Sequence, residues 1–250
     1  MSRWRALIVL GIALYTLSPL FGVEDPYSLP VSTVILDAGH GGHDPGASTA
    51  WAFAGGTVYE RDLTLDITKR VYSLLAVSKP ELHLILTRND DTFLSLEQRS
   101  RIAYSTELPP KTSALFVSIH INSAPSKEAS GFEILTKKQD KRVVLLNKDT
   151  PLMNIGTLSS QSFLELNRDL NHRNLVVAKT FEEVFSEKLP TSRNRGVKEM
   201  DLYVLNASRI PAVLVEVGFI TNEEDARKLV SPQWRQVVAQ AISEAVIRCL

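Results

Sequence analysis

Val34-Ile-Leu-Asp37-Ala-Gly-His40-Gly-Gly-His43-Asp44-Pro-Gly-Ala47 begins as a short apolar strand and ends in a turn too rich in glycine and proline for regular structure. A strand that stops in such a loop is where an α/β protein places its chemistry. Asp37, His40, His43 and Asp44 can each bind a cation or move a proton. The rest of the chain must supply their partners.

Working outward, a helical pattern starts at Glu60, with Leu63, Ile67, Val71, Leu74 and Leu75 recurring at spacings of three and four, and Pro80 stops it. Residues 82–87 read as a strand and 94–104 as a helix, closed by Pro109-Pro110. Residues 114–121 form an almost continuous apolar run holding Ser118 and His120, which fits a strand covered on both faces, as in a parallel sheet. Residues 131–135 read as an edge strand, and 137–160 show no period. A helix pattern is expected from about Phe163 to Leu189, continuous or with one break, then strands at 202–205 and 213–217. Ser231-Pro232 supplies a capping hydroxyl and a first-turn proline for a last helix. Strands alternating with helices predict a single α/β domain with a mainly parallel sheet flanked by helices.

Composition limits the chemistry. The 28 basic and 28 acidic residues cancel, so no bulk field points to nucleic acid or an anionic membrane. The single cysteine, Cys249, excludes an intrachain disulfide and a cysteine-based zinc knuckle, so a metal site would use histidines and carboxylates. Arg3, Arg5 and the apolar run of residues 6–17 read as a signal peptide over 1–22, with an uncleaved anchor as the competing reading. A short linker over 23–31 and one folded domain over 32–250 follow. Either reading places the domain outside the cytoplasm. The signal reading leaves no stable membrane insertion once the segment is removed.

Four residues stand out. His40 follows the first strand, Glu60 opens the first long helix, and His120 and Glu216 interrupt strands that otherwise read as core. An ionised glutamate in an apolar strand is costly unless paired or bound to a metal. If these strands are parallel, their C-terminal ends converge on the rim where the His40 loop emerges. Two imidazoles and a carboxylate are a common ligand set for catalytic zinc, and a second carboxylate can then serve as general base. Taken singly, a strand histidine is more often a satisfied core residue, and a first-turn glutamate a dipole-favoured surface residue.

The local words shift that balance. Asp-Ala-Gly-His-Gly-Gly-His-Asp-Pro-Gly-Ala (37–47), Tyr-Glu-Arg-Asp (59–62), Ser-Ile-His-Ile-Asn (118–122), Arg-Gly-Val-Lys (195–198) and Glu-Val-Gly-Phe-Ile-Thr-Asn (216–222) occur in this order. Together, and with Thr87-Arg88, Leu96 and Arg99, they resemble the zinc-dependent N-acetylmuramoyl-L-alanine amidases, bacterial cell-wall enzymes of the Amidase_3 family. The resemblance covers about residues 32–250. It implies a six-stranded sheet, zinc ligands at His40, Glu60 and His120, and a catalytic Glu216. Asn122 and Arg195 lie in matching words as supports or substrate contacts. The implied reaction is cleavage of the amide between N-acetylmuramic acid and L-alanine of peptidoglycan, with a division-associated activator as partner. The absence of a lipobox and of wall-binding repeats points to a periplasm as destination. In the family's loop word the position of His43 varies, so His43 is read as a rim residue. His83 and His172 are read as structural or solvated, and Asp37 and Asp44 as groups that orient the loop or the ligand.

Residues 137–160 exceed the shortest family members, and the expectation is a cleft-side loop without full blocking ability. Two other functions compete. One is a catalytically silent peptidoglycan-binding or division scaffold on the same fold, which would not need all four site residues. The other is a serine-type peptidoglycan peptidase, disfavoured because no Ser-x-x-Lys nucleophile motif occurs.

Overall fold

Alternation along the central strands decides how the layers pack. The computed structural model describes residues 25–250; the segment read as a signal, 1–22, lies outside the described residues. Six strands form one sheet: β1 (Val31–Ala38), β4 (His83–Leu86), β5 (Ser113–Asn122), β6 (Phe132–Lys137), β7 (Asn194–Met200) and β8 (Ala212–Phe219). Their order is β4-β1-β5-β8-β6-β7. A separate antiparallel pair, β2 (Ser48–Trp51) and β3 (Gly56–Tyr59), turns at Gly55, where the left-handed φ of +72° suits a residue without Cβ. The helices are α1 (Glu60–Ser78), α2 (Leu96–Tyr104), α3 (Leu152–Leu158), α4 (Phe163–Lys188), α5 (Tyr203–Ala207), α6 (Glu223–Val230) and α7 (Pro232–Arg248).

On one face, Leu115, Val117, Ile119 and Ile121 of β5 pack with Ile67 and Val71 of α1, Phe181 and Phe185 of α4 and Ile242 of α7, all buried. Burying each such side chain contributes about 1.5–3 kcal/mol. The other face is covered only in part. Ile35, Phe116, Leu135 and Leu214 lie under Ala103 of α2 and Val204 and Leu205 of α5. Further up that face, side chains of the same parity are polar: Asp37, Ser118, His120, Glu133 and Glu216.

The sheet is α/β, six-stranded and mostly parallel, as expected. Several details differ. Residues 132–135 lie in β6, an interior strand between β8 and β7, and Gly131 immediately precedes it. β6 runs antiparallel to β8, and strand direction leaves no mark on local sequence. Residues 203–205 belong to helix α5, with Leu202 as its N-cap; four apolar residues in a row do not distinguish one helical turn from a strand. α4 continues unbroken through its 26 residues, started by a Ser162–Glu165 capping box. In the segment read as a linker, Tyr27 and Leu29 are buried, and β1 begins at Val31.

The antiparallel β6 also relocates the long connection. It delivers the chain to the N-terminal ends of β1, β5 and β8. There Leu145 packs with Tyr27, Leu166 and Leu170, and Asn154 bonds Leu108 N and Thr106 O at 3.2 and 3.1 Å. The segment 137–160 is therefore no cleft-side loop. None of its residues lines the cleft that holds His40 and His120.

Candidate metal and catalytic centre

β1 ends at Ala38, and the chain turns sharply because two buried arginines collect its carbonyls. Arg88 donates to Ala38 O (2.9 Å) and Gly39 O (2.8 Å). Arg99 donates to Ala38 O and His40 O, both at 2.6 Å. This holds His40 at a φ of +59°, a left-handed conformation rare for a residue with a side chain. Arg99 is anchored by Asp37 at 2.7 Å, and Asp37 also accepts from Thr87 and Ser118, each at 2.7 Å. Burial pushes the Asp37 carboxyl up, but Arg99 and the two hydroxyls outweigh it and hold it below the usual range.

α1 starts where its first residue can reach this loop. Glu60 N donates to Ala47 O at 2.9 Å, while Glu60 Oε2 accepts from Ala47 N at 2.8 Å. Glu60 Oε1 lies 3.2 Å from His40 Nε2 and 3.0 Å from His120 Nδ1, and accepts from Ile121 N at 2.9 Å. Burial raises the Glu60 pKa, but the two imidazoles overcome it and the carboxyl stays ionised far below its ordinary value. His40 Nδ1 is tied to Asp44 Oδ2 at 2.8 Å, which leaves Nε2 free to face the centre. Burial lowers the His40 pKa, and Glu60 and Asp44 raise it more, so its net shift is upward.

The ligand atoms of His40, Glu60 and His120 lie within 4.8 Å of one another, and this is the one such cluster found among the described residues. Two glycines let the backbone pass close to these side chains. A Cβ on Gly39 would stand 2.4 Å from His120 Cε1, and one on Gly46 would stand 2.6 Å from Glu60 Oε2. Two neutral-capable imidazoles and an ionised carboxylate, with a carboxylate behind one imidazole, suit a zinc ion.

Glu216 stands beside this cluster. β5 and β8 pair His120 with Glu216, and β8 and β6 pair Glu216 with Glu133. Residues opposite one another on paired strands share a face, so these three form a lateral row. Glu216 Oε2 is sealed from solvent with no hydrogen-bond partner among the described residues. Burial, with help from Glu60 and Glu133 and against the pull of His120, pushes its carboxyl up to about 7.

The remaining candidates fall as follows. Asn122 Nδ2 donates to Glu133 Oε2 at 3.3 Å, and Arg195 pairs with Glu133 Oε1. His43 is exposed and stacks on Phe93 with ring centroids 4.0 Å apart. His83 and His172 are exposed and away from the cluster. Sequence reasoning missed Glu133 because its strand read as an edge, where an outward glutamate is unremarkable. In an interior strand, a 6% exposed glutamate is the same kind of signal as Glu216.

The family model described as N-acetylmuramoyl-L-alanine amidase, Amidase_3, matches residues 34–248. The chain belongs to this amidase family. Among curated relatives, YqiI of Bacillus subtilis (strain 168), described as an uncharacterized protein, is 34% identical over 97% of this chain and 95% of its own length. The N-acetylmuramoyl-L-alanine amidase LytC of the same organism is 31% identical over 86% of this chain. The match spans 35% of LytC, about a third of that longer protein. Among solved structures, the CwlD amidase of Clostridioides difficile, in complex with the GerS lipoprotein, superposes with a TM-score of 0.67 at 26% identity, covering 87% of this amidase and 98% of CwlD.

Proposed function

We propose that this chain is a zinc-dependent N-acetylmuramoyl-L-alanine amidase that cleaves the amide between the lactyl group of N-acetylmuramic acid and L-alanine in peptidoglycan. The reading rests on the His40–Glu60–His120 cluster lying one strand from a half-buried Glu216, whose sealed Oε2 has no hydrogen-bond partner among the described residues. His40, Glu60 and His120 would hold the zinc. The chemistry such an ion supplies is Lewis acidity toward water and toward an amide carbonyl.

The protein's own groups do the rest. Asp44 fixes the tautomer of His40, so that Nε2 presents its lone pair to the centre. The backbone amides of Ala47 and Ile121 orient the Glu60 carboxylate. Glu216 accepts a proton from the attacking water and returns it to the nitrogen that leaves as the amine of L-alanine. Its place beside the cluster, with one oxygen free of any partner among the described residues, suits that double duty. Asn122 and Arg195 flank the row and act as supports or substrate contacts.

The enzyme would act after export, in a periplasm, with residues 1–22 as the signal, 23–31 leading into the domain and 32–250 as the catalytic unit. Its role would be wall remodelling or cell separation, under a division-associated activator, with no nucleic-acid partner and no stable membrane insertion once the signal is removed. A relative's complex with a lipoprotein lends support to an envelope partner of some kind. No helix among the described residues is long and apolar enough to cross a membrane.

Metal analysis together with mass spectrometry of purified muropeptides tests the assignment. Zinc-loaded protein should release glycan and a free stem peptide beginning at L-alanine. Glu216→Ala should keep zinc and lose cleavage, and His120→Ala should lose both. Normal turnover by Glu216→Ala would refute the assignment, and a zinc-bound wild type inert on every muropeptide would favour the silent scaffold.

A further inference from the structure

The catalytic row continues past Glu216 and Glu133 into a pair of cations. Lys198 Nζ lies 2.7 Å from Glu133 Oε1, and Arg195 Nε donates to the same oxygen. One carboxylate oxygen therefore faces two positive groups. The Lys198 side chain is 40% exposed. The Arg195 guanidinium is braced over the Phe219 ring at 5.0 Å. Its Nη groups make no hydrogen bond among the described residues. An ion pair with a purely structural role needs only one cation. Here a second is held in place at the surface with donors to spare.

The two sides of the centre differ in character. The cleft beyond His40 and His120 is walled by Phe93, Leu94, Leu96, Leu202 and Tyr203. Its one cation, Arg99, is buried and committed to Asp37 and to backbone carbonyls. That wall suits the uncharged sugar and lactyl part of a substrate. The opposite side, across β6 to β7, carries Arg195 and Lys198.

Distance matches this second side to peptide. β6 and then β7 follow β8 in the sheet. Neighbouring strands lie about 4.8 Å apart, so β7 is about 10 Å from Glu216. Extended peptide covers about 3.4 Å per residue, so that span reaches the second or third residue beyond a bond broken beside Glu216. A stem peptide beginning at L-alanine carries an acidic second residue there, joined onward through its side-chain carboxyl. Its α-carboxylate is left either free or capped as an amide.

We propose that Arg195 and Lys198, held in register by Glu133, form the subsite for the free α-carboxylate of the second stem residue, with the peptide crossing β8 and β6 toward β7. This inference rests on the amidase reading above.

The test compares kcat/KM of the full zinc-loaded protein on two soluble muropeptides. They differ only in whether the second residue is D-glutamate with a free α-carboxylate or its carboxamide. The wild type should favour the acid by about fivefold, the scale of one half-exposed ion pair. The preference should sit in KM and shrink with added salt. In Lys198→Gln and in Arg195→Gln the ratio should fall toward one, and Arg195→Lys should restore part of it. A wild type that cleaves both substrates equally, or variants that lose both in equal proportion, would overturn the subsite and leave the amidase reading intact. A wild type that cleaves neither would overturn the amidase reading itself.

Discussion

Replacing Arg99 with leucine tests the claim that the turn after β1 is held in place by a buried ion pair. Arg99 is 3% exposed and Asp37 is fully buried. The guanidinium donates to Asp37 Oδ1 (2.7 Å), Ala38 O (2.6 Å), His40 O (2.6 Å) and Leu94 O (3.1 Å). Leucine fills much of the volume but strands a buried carboxylate and several carbonyls. Removing one partner of a buried pair costs about 3–5 kcal/mol. In a domain of this size each kcal/mol moves Tm by about 2–4 °C, so the midpoint should fall by about 6–20 °C. The assay is urea and thermal unfolding of zinc-stripped protein, so that metal linkage does not mask the change. The same series should include Asp37→Asn and the double variant. Asparagine still meets Thr87 and Ser118 and carries no charge. The double variant should therefore be less destabilised than the sum of the singles by about 1–3 kcal/mol. An Arg99→Leu loss under about 1 kcal/mol, or strict additivity in the double variant, would refute the reasoning.

Other expectations follow from the same geometry. Asp44→Ala removes the acceptor from His40 Nδ1 and should weaken zinc binding by about 10–100-fold, read by competition with a chelating dye. Gly39→Ala forces a Cβ to within 2.4 Å of His120 and should lower zinc content in metal analysis while the far-UV circular dichroism stays native. In zinc-free protein, Glu216 binds its proton more tightly folded than unfolded, because burial raises its pKa from 4.5 to about 7. The stability this contributes is full below about pH 4.5 and is lost as pH rises through about 7. Unfolding titrations from pH 5 to 8 should show a steeper loss of stability in the wild type than in Glu216→Gln, the difference being the Glu216 contribution, since His40 titrates in both. Replacing residues 147–160 with a short glycine–serine bridge should leave kcat/KM within about twofold, because that segment is remote from the cleft. A large rise would instead reveal autoinhibition.

His40, Glu60, His120 and Glu216 could be singled out in the sequence because each breaks a local pattern: an imidazole in a glycine turn, a carboxylate at a helix start, polar groups in apolar strands. The structure gathers all four at one end of the sheet. Glu133 escaped because the pattern it breaks depends on its strand's neighbours, and β8 and β7 are distant in sequence. Residues 202–205 misled for a related reason. A single apolar turn of helix and a short buried strand read alike until it is known that the sheet face needs a cover at Phe116 and Leu214. Arg88 and Arg99 stood out as words in a resemblance, but their work on the carbonyls of Ala38, Gly39 and His40 is long-range and has no local signature.

The reversal of β6 separates two design problems that a fully parallel sheet would have merged. With every strand pointing the same way, any lengthened strand-to-helix connection would open onto the catalytic rim. Here the connection from Lys138 to Gln161 opens at the far end, beside Tyr27, where the described chain begins. That connection is a natural grafting port. A fluorescent reporter or an affinity module inserted among its exposed residues would travel with the enzyme and leave the approach of a bulky wall polymer unobstructed.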